Sequence, residues 1–90
     1  MNQETRELVF KRAHGYCMCN DKCQEKATDL HHLLSNTVVN RNIFPLFIDS
    51  PFNLLPVFNG CHLTKPMPKI TPHQASLYET WLRIFERGDA

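Results

Sequence analysis

Two adjacent histidines, His31 and His32, lie in the apolar stretch DLHHLLS at residues 29–35. Successive side chains of a β-strand point to opposite faces, so a strand here would direct one imidazole inward and the other outward. Imidazole is a common metal ligand and, near neutral pH, an effective general base. The pair is therefore a candidate site for metal-dependent acid–base chemistry, although either histidine alone would be better interpreted as a half-buried, hydrogen-bonded core residue.

Four cysteines supply further ligands. Cys17, Cys19 and Cys23 form a C-x-C-x3-C cluster in the segment CMCNDKC, and Cys61 directly precedes His62. Four thiolates suffice for a closed tetrahedral zinc site, and a site that uses only two or three of them is the alternative. A redox role for the C-x-C pair is weaker, because three cysteines in seven residues suit a metal better than a dithiol switch.

Length and charge set the remaining limits. The 90 residues predict a single domain over 1–90, near the lower end of what folds without a metal, a disulfide or a partner. A net charge of +1 neither requires nor excludes nucleic acid, because a local basic face is enough. We see no signal peptide and no membrane-spanning run, so we expect a cytoplasmic protein with reduced thiols that hold metal.

The elements that must position these residues are short. A helix is predicted over 3–14, with Asn2 as its N-cap and Gly15 as its stop. An irregular loop of eighteen residues is long for so small a domain, and such loops are often functional. The elements around it are a strand over 27–34, the loop over 35–52, a strand over 53–57 that Pro56 confines to an edge, and a helix over 59–65 that Pro66 stops.

The clearest predicted element is a C-terminal helix with a capping box. Thr71 is its N-cap, Pro72 its first helical residue, Gln74 completes the box and Gly88 ends the helix. Its apolar side chains recur at helical spacing, which predicts a face packed in the core and without a chemical role. These side chains are Leu77, Trp81, Ile84 and Phe85, widened by Tyr78 and Leu82.

Taken in order, the candidate residues form a pattern: a strand with His31 and His32, a long loop, a strand that opens with Asn53, and a helix with His62. In this order the chain resembles the HNH endonuclease family, over roughly residues 6–65 and including the lead-in VFKRAHGYC. The resemblance implies an α+β fold: a small ββα-metal finger flanked by N- and C-terminal helices, with a cysteine-bound structural zinc. It implies a metal-dependent endonuclease that nicks or cuts DNA with little sequence preference of its own.

The resemblance also implies roles for the histidines and the asparagine. His31 and His62 would bind a catalytic divalent cation (Mg, Mn, Ni or Zn), and His32 would take a proton from the attacking water. The adjacent residues His31 and His32 must then act on one phosphate. This requires a twisted or bent strand, or an approach to the phosphate from two sides. The amide of Asn53 would bond backbone across the long loop and hold the His32 segment in place.

The chain departs from the family pattern in its cysteines. Many HNH proteins carry two C-x2-C pairs, whereas here the second pair retains only Cys61, with Phe58 where its partner would be. The four cysteines Cys17, Cys19, Cys23 and Cys61 are still the expected zinc ligands. Pro66 occupies the position of the further histidine that some members have in the finger helix.

Substrate contacts are less visible in the sequence. Arg41 in the long loop is the best candidate for a phosphate contact, and Lys65 is a second one; Lys69, Lys11 and Arg12 could add positive surface. Nothing suggests base-specific readout. DNA is the expected partner.

Small bacteriophage HNH proteins that act with terminase during genome packaging are the nearest analogy. By that analogy, terminase or another phage protein is an expected partner, in the host cytoplasm if the chain is phage-encoded.

A rival interpretation is a non-catalytic module, stabilised by structural zinc, that binds nucleic acid or protein. It accounts for the cysteines and the basic residues, but not for the order of His31, His32, Asn53 and His62. The sequence leaves open the preferred catalytic metal, nicking or double-strand cutting, DNA or RNA, and the oligomeric state.

Overall fold

The computed structural model describes residues 3–86, which form a small mixed α+β fold with one two-stranded sheet. The predicted N-cap Asn2 and helix stop Gly88 lie outside the described residues. The elements in chain order are α1 (Gln3–Arg12), β1 (Asp29–His32), α2 (Val38–Ile43), β2 (Leu54–Val57), α3 (Asn59–Thr64) and α4 (Pro72–Glu86), with a 3-10 turn at Pro51–Asn53 before β2.

The sheet pairs β1 with β2 in antiparallel register, so that His31 lies opposite Leu55 and His32 opposite Leu54. The two strands are shorter than the predicted 27–34 and 53–57, and Asn53 belongs to the turn before β2 rather than to the strand. The carbonyl of Pro56 accepts a hydrogen bond from the N–H of Met18 at 2.8 Å. The cysteine knuckle, residues 17–23, therefore lies against the outer edge of β2.

The segment between the strands is more ordered than predicted, because it contains α2. Thr37 caps this helix, with its side-chain oxygen accepting from the N–H of Asn40 at 3.1 Å. The chain then turns inward, and the apolar side chains of the segment form the main core with the end of β1 and with α4. This core consists of Leu34, Phe44, Phe47, Ile48 and Ala75. A continuous loop over 35–52 was therefore the wrong prediction, since a side-chain cap and buried anchors stabilise a short helix there.

The predicted capping box of α4 is confirmed: Thr71 N–H donates to Gln74 Oε1 at 2.9 Å, and Gln74 N–H donates to Thr71 Oγ1 at 3.2 Å. The predicted core face is wrong for three of its four central residues, while Leu82, predicted to widen it, packs partly buried against the core. Leu77, Trp81 and Phe85 are 62%, 44% and 52% exposed, respectively.

The helix buries a different face, which carries Ala75 and Glu79. One carboxylate oxygen of Glu79 accepts the backbone N–H groups of Leu46 and Phe47 at 2.9 and 3.0 Å. Ala75 belongs to the main core, and Leu82 packs partly buried against it. These contacts and the carboxylate of Glu79 turn this face of the helix towards the interstrand segment.

The N-terminal helix is fastened to the sheet through Val9 and Arg12. Val9 is fully buried, and the guanidinium of Arg12 donates to the carbonyls of Pro51 and Leu54, both at 2.7 Å. The helix ends at Arg12, and His14 and Gly15 both adopt positive φ, at 54° and 79°, as the chain turns into the knuckle. Within residues 3–86, none of the helices has the length and apolar character that a bilayer crossing requires.

Candidate functional site

The four cysteine side chains converge on one point. All four Sγ atoms lie within 4.8 Å of one another, and those of Cys23 and Cys61 are 3.8 Å apart. Four thiolates around a zinc ion at a Zn–S distance of about 2.3 Å have sulfurs about 3.8 Å apart. Cys17 and Cys61 are buried, while Cys19 and Cys23 are half-buried. This donor set fits a closed structural site for a metal such as zinc, as the sequence predicted.

Backbone hydrogen bonds bring the knuckle to the cysteine of α3. Cys17 N–H donates to the carbonyl of Glu25, and Ala27 N–H donates to that of Gly15, both at 2.8 Å. The bridge between Tyr16 and Lys26 closes the same turn. Cys61 faces the knuckle from the first turn of α3, so the site joins the segment before β1 to the helix that follows β2.

The thiol pKa values of the cluster shift in opposite directions, and burial is the largest cause that raises the pKa of Cys19 to about 12. Burial raises the pKa of Cys17, but hydrogen bonds from the backbone of Phe58 and Cys19 outweigh it and lower the pKa to about 7. Burial raises the pKa of Cys61, whose thiol also interacts with the ammonium of Lys65. The hydrogen bond to Cys61 raises the pKa of Lys65, so this predicted phosphate contact directs its charge at the cysteine cluster.

The imidazoles of His31 and His62 lie next to each other. Their ring centroids are 5.3 Å apart with the planes at 72°. Two imidazoles that bind one ion at about 2.0–2.1 Å in a tetrahedral arrangement have centroids about 5 Å apart. Burial lowers the pKa of His31, which favours the neutral, ligating form of its imidazole. The structure thus brings together the two residues that were predicted to share a catalytic ion.

The second nitrogen of each of these rings already has a partner. His31 Nε2 lies 2.8 Å from the carbonyl oxygen of Pro68, and His62 Nδ1 lies 3.6 Å from Asp29 Oδ2. Asp29 also accepts from the side-chain amide of Asn59 at 2.9 Å, and this bond is the largest cause of its lowered pKa. Such outer contacts orient metal-binding imidazoles, leaving Nδ1 of His31 and Nε2 of His62 as the available donor atoms.

The two histidines do not complete an ion site alone. Among residues 3–86 the cysteine cluster is the only group of three or more close ligand side chains that could hold an ion. An ion at His31 and His62 would therefore need water or phosphate oxygens as its other ligands, which is the open coordination typical of catalytic sites.

His32 contacts a different partner from its neighbour. Its Nε2 lies 3.2 Å from Asp49 Oδ1, and both side chains are half-buried. The guanidinium of Arg41 donates to both oxygens of Asp49, at 2.9 and 3.1 Å. This double hydrogen bond is the main reason why the pKa of Asp49 falls to about 2, and the bond to His32 adds to it. Arg41, predicted to contact phosphate, thus binds a carboxylate of its own chain.

Asn53 makes the contacts that the sequence predicted for it. It is fully buried, and its Oδ1 accepts the N–H of Leu34 at 2.7 Å. Its Nδ2 donates to the carbonyls of Ile48 at 2.9 Å and Leu34 at 3.3 Å, and its own carbonyl accepts the N–H of Leu33. These bonds fasten the chain directly after His32 to the C-terminal part of the interstrand segment.

Sequence reasoning missed Asp29, Asp49 and Pro68. Asp29 was visible two positions before His31, where alternation places both on one face of the strand. No local signal marks Asp49 or the carbonyl of Pro68, because each meets its histidine only through the tertiary fold.

Comparison with known proteins adds no further assignment. No protein-family model matches the chain, and no curated protein or solved structure is significantly similar to it.

Proposed function

We propose that this protein is a metal-dependent endonuclease of the HNH type, which hydrolyses phosphodiester bonds in DNA. The observation that carries the proposal is the pairing of His31 with His62 at 5.3 Å between ring centroids. His32 follows in the same strand, and the buried Asn53 fastens the chain behind it. The spacing of the two rings suits a shared ion. His32, which is not part of the pair, is then available as a general base.

The backbone arrangement supports the same proposal. His31 lies in β1, β2 pairs with it antiparallel, and α3, which carries His62, packs against β1. Two antiparallel strands followed by a short helix are the layout expected of a ββα-metal finger. The knuckle and Cys61 fit the accompanying structural zinc.

In this proposal the neighbouring residues His31 and His32 have different chemical roles. A divalent ion such as Mg, Mn, Ni or Zn, held by His31 and His62, would supply positive charge for the phosphate and the leaving oxygen. His32 accepts the proton of the attacking water, and Asn53 keeps its segment in place. Lys69 adds positive charge near His31, since it contributes to the lowered pKa of that imidazole.

The two histidines can act on one phosphate although alternation separates their side chains. His32 is the last residue of β1, so a phosphate at the end of the strand can be approached from both faces. The imidazoles are also close enough for His32 to contribute to the lowered pKa of His31. These two observations support a shared site at the end of the strand.

A non-catalytic module that binds nucleic acid or protein is the second candidate. The cysteine cluster favours it, because that site would stabilise the fold without requiring any activity. Exposed aromatic and apolar side chains on one side of α4 and on the 3-10 turn also favour it: Phe52, Leu77, Tyr78, Trp81 and Phe85. This candidate assigns no role to the pairing of His31 with His62.

The test is nicking of supercoiled plasmid by the zinc-loaded protein, first with a chelator and then with Mg²⁺, Mn²⁺ or Ni²⁺ in excess. We expect open-circular DNA only when the metal is restored, and a large loss of rate for His62→Ala. His73→Ala removes an exposed histidine at the start of α4 and is the matched control. Absence of nicking on DNA and RNA, or equal nicking by His62→Ala, would favour the non-catalytic module.

A further inference from the structure

We infer that Asp49 is a positioning residue for His32: it holds the imidazole with its proton on Nε2, so that Nδ1 is the atom that can take a proton from water. The position of the proton on Nε2 concerns the folded protein alone. Proton transfer from water to Nδ1 rests on the proposed function, because it requires the nuclease reaction.

The geometry of the contact fixes which ring nitrogen carries the proton. His32 Nε2 lies 3.2 Å from Asp49 Oδ1. An ionised carboxylate can only accept hydrogen bonds, so the neutral imidazole must donate from Nε2. The lone pair of the neutral ring is then on Nδ1.

Arg41 keeps the carboxylate ionised and oriented. Its two terminal nitrogens bind the two oxygens of Asp49 at 2.9 and 3.1 Å, which is the bidentate arrangement that fixes the carboxylate plane. The same contact holds the pKa of Asp49 at about 2, so the carboxylate is charged at neutral pH. Arg41 lies in α2 and His32 is the last residue of β1. Asp49, in the interstrand segment, contacts both side chains and so lies at the end of the strand.

The neighbouring His31 is also held through its Nε2 atom, by a different acceptor. His31 Nε2 lies 2.8 Å from the carbonyl of Pro68, which also can only accept. Both imidazoles are therefore held through Nε2 and offer Nδ1. The difference is that the acceptor of His32 is a charged carboxylate, whereas that of His31 is a neutral carbonyl.

The direct test is the ¹⁵N spectrum of labelled histidines in the zinc-loaded protein at alkaline pH. We expect the Nε2–H tautomer of His32 in the wild type and a shift towards Nδ1–H in Asp49→Asn, whose amide can donate to Nε2. Asp49→Glu should restore part of the wild-type signal. Glu4→Gln removes an exposed carboxylate from α1 and should change nothing.

A wild-type spectrum with the proton on Nδ1, or an unchanged tautomer in a folded Asp49→Asn, would overturn the inference. Zinc content and circular dichroism establish that each variant is folded. Should Asp49→Asn fail to fold, the spectra of the wild type and of Asp49→Glu still decide the tautomer.

Nicking rates give the second readout. Because general acid–base help is typically worth about 10²–10⁴-fold, we expect Asp49→Asn to lower kcat by about 10²-fold with little change in KM. Full activity in a variant that has lost the Nε2–H tautomer would overturn the role of Nδ1. A wild type that shows the expected tautomer but never nicks would refute the proposed function, while the positioning of His32 by Asp49 would still be supported.

Discussion

The Sγ atoms of Cys23 and Cys61 lie 3.8 Å apart, although the two residues are 38 positions apart in the chain. One belongs to the knuckle before β1, and the other to α3 after β2. An ion at this point therefore links the two segments that flank the sheet. In so small a domain this link would supply stability that the apolar core alone does not provide.

We expect about one tightly bound zinc per chain, and loss of both zinc and fold in Cys61→Ser. The free energy of metal binding in such sites is also free energy of folding, so removing one thiolate destabilises the whole domain. Elemental analysis and circular dichroism measure the two effects. Met18→Ser alters an exposed residue of the same knuckle and should keep both zinc and fold. A well-folded, reduced sample without zinc would contradict this prediction.

The three histidines should respond differently to added metal. His31→Ala and His62→Ala remove ligands, so part of their activity should return at high Mn²⁺ or Ni²⁺, because mass action offsets a weakened site. His32→Ala keeps both ligands and should stay inactive at every metal concentration, with a loss of about 10²–10⁴-fold. A metal titration of nicking rate, with calorimetry of the second ion, distinguishes these responses.

His73→Ala serves as the control in this series, since His73 is exposed. If metal rescued His32→Ala but not His31→Ala, the roles of the two neighbours would be reversed. If all three variants bound the second ion as the wild type does, the histidine pair would not be a metal site.

Replacing the buried Asn53 with alanine should lower the free energy of unfolding by about 2–6 kcal/mol, the cost of two unsatisfied buried groups. The substitution leaves the N–H of Leu34 and the carbonyl of Ile48 without their side-chain partner, and each unsatisfied buried group costs about 1–3 kcal/mol. Urea denaturation of the zinc-loaded protein measures the change. Asn42→Ala, in an exposed position of α2, is the matched control, and an equal effect of both substitutions would refute the argument.

The carboxyl group of Asp49 should remain ionised in acid for as long as the fold persists. Its hydrogen bonds with Arg41 lower its folded-state pKa to about 2 from the usual 3.8, so its contribution to stability is present above pH 3.8 and is lost as the pH falls towards 2. A ¹³C titration of this carboxyl measures the effect. In Arg41→Gln the signal should begin to move near pH 4, and a wild-type midpoint at or above 3.8 would contradict the prediction.

Much of the candidate site was already predictable from the sequence. The C-x-C-x3-C spacing predicted a cysteine cluster, because ligands this close in the chain can reach one ion without help from distant packing. The capping box at Thr71 and Gln74 was equally local. The buried bonds of Asn53 followed from an amide at the end of a long connection that had to be closed.

The tertiary structure decided how these pieces face one another. Two acceptors of the histidines, Asp49 and the carbonyl of Pro68, lie 17 and 37 positions away in the chain, and only packing brings them near. The same holds for Arg41, whose charge was visible in the sequence but whose bidentate partner was not.

The orientation of α4 shows most clearly what the sequence pattern could not predict. Helical periodicity identified its apolar stripe correctly, yet Leu77 and Trp81 are exposed while Glu79 is buried. Periodicity records which side chains share a face, but the face that is buried depends on what the rest of the fold needs. Here the backbone N–H groups of Leu46 and Phe47 needed a buried acceptor, and the carboxylate of Glu79 supplies it. The sequence by itself determined the ligand types, their order and the capping box of α4, and the fold decided their partners, because hydrogen bonds between distant segments form only once those segments pack.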